Sequence, residues 1–162
     1  MLPGGWGMAA IAMEAANLAL GGIFAFVLIQ EQLAPQLSDT FFVPAYFHFL
    51  TIGTVTLTLL AAFTWFMPDL FGRPLWAPRI LRMLPYTLTA GLVLFGVAGM
   101  TAGLNGMPRR VLDASYDGAA PQLWTAMSPS IGLGAIIMAL SLLLYVVLLV
   151  GSALGAGKRQ AI

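Results

Sequence analysis

The chain has little charge and no cysteine. Of its 162 residues only 8% are charged, seven basic and six acidic, and there is a single histidine. An average soluble domain carries about 25% charged residues. So few charges cannot cover a water-soluble surface of this size, which argues against soluble globular, disordered and nucleic-acid-binding classes. The missing cysteines exclude disulfides, zinc–thiolate sites, iron–sulfur clusters, thioether-linked haem and thiol catalysis. A net charge of +1 carries no information about partners. Apolar side chains are what the sequence has in excess, at 60%. That is the composition of an integral membrane protein.

Crossing a bilayer as a helix takes about 20 apolar residues. Four stretches qualify, at residues 8–28, 41–67, 81–104 and 129–154. They mix Leu, Ala, Val and Gly without strict alternation, so the expected fold is all-α, with four transmembrane helices. Pro35, Pro68, Pro74, Pro78, Pro108 and Pro121 are expected in the connections, where a missing N–H costs little. The N-terminal stretch has no basic lead-in and is interrupted by Glu14, so it does not read as a signal peptide. No repeat, low-complexity tract or second domain stands out, and residues 1–162 read as one transmembrane domain.

Basic residues orient the spans. With four crossings, Arg73, Arg79, Arg82, Lys158 and Arg159 share one side, and only Arg109 and Arg110 lie on the other. The positive-inside rule therefore puts both termini in the cytoplasm. The connections bearing Glu31 and Asp39, and Arg109, Arg110, Asp113 and Asp117, then face outward. Trp6, Trp65, Trp76 and Trp124 fall near span ends, as an aromatic belt requires.

Few residues can carry chemistry. His48 lies seven residues into the second span, roughly 10 Å along the axis. A polar ring at that depth needs a partner. It is either hydrogen-bonded to a neighbouring helix or an axial ligand to a haem iron or another metal. One histidine cannot build a multi-ligand site, so a second axial ligand would come from another chain or another copy. Arg109 and Arg110 lie just beyond span three, on the same side as His48. Two adjacent guanidinium groups suit carboxylates or phosphates, including the propionates of a haem; the alternative is that they snorkel to lipid headgroups. Glu14 and Asn17 share one face of span one, as a proton path or ion site, or as helix–helix hydrogen bonding with Glu14 reaching water. Gly99 and Gly103 are spaced for close helix packing, expected against a partner. Thr51, Thr54, Thr56 and Thr58 can bond their own backbone or the next helix.

The run Ser38-Asp39-Thr40-Phe41-Phe42-Val43-Pro44-Ala45-Tyr46-Phe47-His48-Phe49 resembles the start of the tenth helix of subunit I of haem–copper oxygen reductases (cytochrome oxidase). That family carries an aspartate or asparagine followed by threonine, then His-Phe-His. The resemblance continues through Val55-Thr56-Leu57-Thr58, Trp65, Pro68, Leu70, Gly72 and Pro74, and again at Gly103-Leu104 and Pro108-Arg109-Arg110. Val43-Pro44 and the Val-Thr-Leu-Thr run look most like the B branch. Gly21-Gly22-Ile23 is more loosely similar to the ninth helix. The likeness covers nearly the whole chain, but only about the last third of a full subunit I, helices nine to twelve.

The resemblance implies specific roles. His48 takes the position of the second family histidine, an axial ligand of a low-spin haem iron, with Phe47 beside it at the cofactor. Arg109 and Arg110 match the pair that binds haem propionates. The first histidine, ligand of the high-spin haem, is replaced by Tyr46. Positions two apart on a helix differ by about 200°, so the two haem sides are expected on opposite faces of the helix. The family's copper ligands and the second low-spin ligand belong to helices this chain lacks, and Ser38 stands where a metal-binding histidine is common. The implied protein is a membrane subunit of a respiratory-type oxidoreductase complex. It helps to bind a low-spin b- or a-type haem for electron transfer, has no copper site of its own, and forms an obligate complex with a chain supplying the remaining helices. The implied location is a prokaryotic cytoplasmic (inner) membrane, with lipid around the bundle. Two alternatives stand beside this reading: part of a split, catalytically active oxidase, and a cofactor-free structural subunit.

Overall fold

The computed structural model describes residues 6–110 and 116–156, with side chains from Met8 onward. Lys158, Arg159 and Asp113 lie outside the described residues, as does the Trp6 side chain. The elements are α1 (Trp6–Leu28), the short α2 (Ala34–Leu37), α3 (Phe42–Leu50), a π-helical turn (Thr51–Thr56), α4 (Leu57–Phe71), α5 (Pro78–Leu104), a 3₁₀ turn (Tyr116–Gly118) and α6 (Gln122–Leu154). Helix α3, the π turn and α4 run on as one span. Among the described residues four segments are thus long and apolar enough to cross a membrane: Met8–Leu28, Phe42–Phe71, Pro78–Leu104 and Gln122–Leu154. The only strand-like pairing among the described residues is an isolated bridge between Thr40 and Pro108.

Several helix ends differ from the sequence expectation. Pro68 is inside α4, which continues to Phe71 and stops at Gly72 in the left-handed conformation (φ 59°). Pro129 is inside α6, which starts seven residues earlier, at Gln122. Pro35 sits in the first turn of α2, and Pro78 opens α5. Proline breaks a helix in water because a backbone group is orphaned. In hydrocarbon the surrounding peptide groups have no alternative to the helix, and neighbouring helices and side chains can satisfy the freed carbonyl, so internal proline is tolerated.

Helix α5 is the centre. It packs along α6 most extensively, and also on α3 and α1. Its small residues decide how closely. A Cβ on Gly99 would lie 2.9 Å from the Phe41 ring and 3.0 Å from Ala45, and one on Gly103 would run into the backbone of Phe42. The Gly99/Gly103 face therefore seats α3 of the same chain, and not a partner as expected from the sequence. Gly91 and Gly134 serve the α5–α6 contact in the same way, with Ile137 Cγ2 2.8 Å from a Cβ on Gly91. Such close backbone approach replaces hydrophobic driving force inside a bilayer.

The two ends of the bundle are pinned differently. At one end the α4–α5 connection docks on the end of α6: Arg73 Nη1 donates to the Ala153 carbonyl (2.6 Å) and the Trp76 N–H donates to Ser152 Oγ (2.8 Å). At the other, the segment before α3 pairs with the segment after α5. The Phe41 N–H donates to the Met107 carbonyl (2.7 Å) and the Arg109 N–H to the Asp39 carbonyl (3.1 Å).

Candidate functional site

His48 is placed by the first two turns of α3. Its Nδ1 lies 2.6 Å from the carbonyl oxygen of Pro44, one turn back. A carbonyl can only accept, so Nδ1 carries the proton, and in the neutral ring the Nε2 lone pair is left uncommitted. Metal-binding histidines are commonly oriented in this way. The ring also packs against Phe95 of α5, with centroids 4.9 Å apart and planes tilted by 53°. Two independent contacts thus fix its direction.

The residue after the bridge brings the arginines over the same end of α3. Arg109 Nη2 donates to Asp39 Oδ1 at 3.1 Å, while the backbone of the two residues is joined by the N–H to carbonyl bond. Asp39 is nearly fully exposed and the Arg109 side chain is three-quarters buried. Arg109 Nε is buried without a hydrogen-bond partner. Arg110 is exposed, and its backbone is left-handed (φ 61°), an uncommon state for a side chain of this kind.

These groups share one feature of the surface. An open groove of about 550 Å³ is lined by Pro44, Tyr46, Phe47, His48, Arg109 and Arg110, among others. The four residues singled out from the sequence, His48, Phe47, Arg109 and Arg110, are therefore brought together. Tyr46 was expected on the opposite face, yet it borders the same groove. The reason is that Phe47, between the two, is half-exposed, and no helix among the described residues covers that arc of α3. Tyr46 packs edge-on against Phe47 and is tilted against Phe42.

Three contributors were not visible in the sequence: the Pro44 carbonyl, the Phe95 ring and the Asp39 carboxylate. Asp39 and Arg109 are 70 residues apart, and only the Asp-Thr start of the resemblance hinted at a role for the former. Thr40 helps to start α3, its Oγ1 donating to the Leu37 carbonyl (2.9 Å) and accepting from the Phe42 N–H (3.3 Å).

Other sequence candidates resolve differently. Asn17 is fully buried and is a helix–helix bond, with Nδ2 donating to the Gly53 carbonyl (3.1 Å) and to Thr89 Oγ1 (3.0 Å). Glu14 is half-buried beside Thr58 in a separate pocket. All four threonines of the second span bond their own backbone. Thr51 and Thr58 reach four residues back, whereas Thr54 and Thr56 reach five back, to the carbonyls of Phe49 and Thr51. The last two stitch the π turn. No group of three or more His, Cys, Asp or Glu gathers among the described residues.

Comparison with known proteins agrees with this architecture. Residues 5–140 match the family model Cytochrome C and Quinol oxidase polypeptide I. Cytochrome c oxidase subunit 1 of Bacillus subtilis is 34% identical over 100 residues, which is 59% of this chain and 15% of that protein. The cytochrome c oxidase subunit 1 of Alkalihalophilus pseudofirmus is 30% identical over 95 residues, again 59% and 15%. A chain from the cryo-EM structure of a heme-copper terminal oxidase dimer superposes over 100% of this chain with a TM-score of 0.87 at 22% identity, and shows the fold. This chain spans 29% of that one. It is thus similar to a part of subunit I, well short of the length of its relatives.

Proposed function

The chain belongs to the Cytochrome C and Quinol oxidase polypeptide I family, and from that premise we propose that it is a membrane subunit of a respiratory-type oxidoreductase complex that helps to hold a low-spin haem, of b or a type, against a partner chain. One observation carries this reading. The groove gathers an imidazole whose Nε2 is uncommitted and two guanidinium groups, one of which has a buried nitrogen without a partner. An unpaired buried donor is costly and asks for an acceptor. A haem offers an iron that takes an imidazole nitrogen, and two propionate carboxylates that accept from arginine.

Each residue then has a task. His48 binds the iron through Nε2, while the Pro44 carbonyl holds the tautomer and Phe95 the ring plane. Arg109 and Arg110 bind and neutralise the propionates. Asp39 keeps Arg109 over the groove. Phe47 presents its ring to the cofactor. When bound, the haem supplies one-electron transfer.

The chain is the non-catalytic part of such a complex. A phenol, Tyr46, stands at the position of the high-spin ligand. With one histidine and no cysteine, the chain leaves any copper centre to other subunits. Among the described residues the groove is open on one side, and a partner chain carrying oxidase-like helices completes the site there. The membrane is the prokaryotic cytoplasmic one, with the arginine end outward and lipid on the remaining apolar faces.

The test is haem content. Complexes purified with the wild-type chain and with His48→Ala are extracted and their haem quantified against protein. Loss of one haem per chain is the expected result, and unchanged content overturns the proposal.

A further inference from the structure

We propose that the face formed by α1 and α4 docks a transmembrane helix of a partner chain, and that a lysine or arginine of that helix enters the pocket in this face and pairs with Glu14. The inference rests on the chain belonging to a complex, and not on the haem. The pocket has a volume of about 270 Å³ and is lined by Ile11, Glu14, Thr58, Trp65 and Phe66, with two alanines of α4. For scale, a cavity of about 150 Å³ holds a benzene ring, so an ammonium or guanidinium head fits.

The chemistry of the walls selects the occupant. Glu14 Oε1 is buried without a hydrogen-bond partner among the described residues. A carboxylate inside a membrane is costly unless a cation meets it. None of the described residues lining the pocket is basic, so that cation comes from outside the described chain. The rest of the wall is apolar or aromatic apart from the Thr58 hydroxyl, which donates to the Thr54 carbonyl. An apolar rim suits the stem of a long basic side chain, and an aromatic face attracts its head.

The surroundings favour a helix over a lipid headgroup. Ile11 and Phe66 are more than half exposed, so the pocket opens sideways out of the bundle. Helix α1 is the least covered span, with 11% of its apolar stretch buried against 61% for α5. A second carboxylate continues the stripe. Thr58, Ala62, Trp65 and Asp69 follow one another at spacings of three or four and so share a face of α4. Asp69 is exposed and forms no ion pair among the described residues. It lies three turns beyond Thr58, roughly 16 Å along the axis, towards the end that carries Arg73. One headgroup does not span that distance. A helix with basic residues about three turns apart meets both carboxylates.

The test uses the intact complex in its native membranes. The photoreactive residue benzoylphenylalanine replaces Ile11 or Phe66, and the cross-linked peptide is sequenced by mass spectrometry. The expected product is a transmembrane helix of a copurifying subunit, with a lysine or arginine within one turn of the attachment point. Glu14→Lys lowers the yield of that cross-link about tenfold and Glu14→Gln about threefold. Changing the partner's basic residue to glutamate in the Glu14→Lys background restores the yield to within about twofold. Attachment to lipid, to a second copy of this chain or to a helix without such a basic residue overturns the proposal. So does the absence of a cross-link from both positions, a double reversal that restores nothing, or a wild-type yield in Glu14→Gln. The same cross-link is expected in His48→Ala, so this surface and the haem assignment stand or fall separately.

Discussion

Asn17 donates from Nδ2 to the carbonyl of Gly53 at 3.1 Å, joining the first span to the π turn of the second. The same nitrogen donates to Thr89 of α5 at 3.0 Å, so one amide ties three spans together. Gly53 has no side chain because Asn17 occupies the space: a Cβ there would lie 2.6 Å from Asn17 Cγ. A π turn frees carbonyls from the regular helical ladder, and inside a membrane each must find another donor. Asn17 fills that need three residues after α3, the helix that carries His48.

Replacing Asn17 by Leu keeps the volume and removes both bonds. The expected cost is about 0.6–2 kcal/mol, the range of buried and intramembrane hydrogen bonds. It is measured as a lower thermal midpoint of the purified complex. A midpoint equal to wild type would mean that the π turn is held without this amide.

Two glycines give opposite expectations. Gly103→Ala forces a methyl group against the Phe42 backbone, with Phe42 Cα 2.8 Å away, and neither helix can yield without moving the other. A loss of about 1–3 kcal/mol follows, read from the same melting curves. Gly22→Ala on the exposed face of α1 meets nothing within 4 Å. It should be neutral or stabilise by up to about 1 kcal/mol, because alanine is the better helix residue.

The lack of cysteine makes the orientation easy to probe. Single cysteines are placed in the 3₁₀ turn after α5 (Asp117→Cys) and at the start of α5 (Arg79→Cys). A membrane-impermeant maleimide added to intact cells should label the first and not the second, until the membrane is opened. The reverse pattern would invert the topology and put the His48 groove on the cytoplasmic side.

The four spans were legible because hydrocarbon leaves a long apolar run few choices other than a helix. His48, Arg109 and Arg110 could be chosen because a membrane chain with few polar groups makes each of them conspicuous, whereas Phe47 followed only from the family resemblance. Other features were not legible. Proline reads as a break, yet Pro68 and Pro129 lie within helices, since the penalty for stopping in lipid exceeds that of one missing bond. The π turn leaves no periodic mark in an apolar stretch. Gly99 and Gly103 signalled close packing but not its partner, which proved to be α3. Asp39 could not be joined to Arg109 across 70 residues without the bridge that brings their backbones together.

The assignment of His48 as an iron ligand is tested most directly by electron paramagnetic resonance of the oxidised complex. His48→Gly removes the imidazole and leaves room for a free one. The wild type should give a low-spin ferric haem signal, His48→Gly should give a high-spin signal in its place, and added imidazole should restore the low-spin form. A low-spin signal that is the same in the wild type and in His48→Gly, or no haem signal in the wild type, would contradict the assignment.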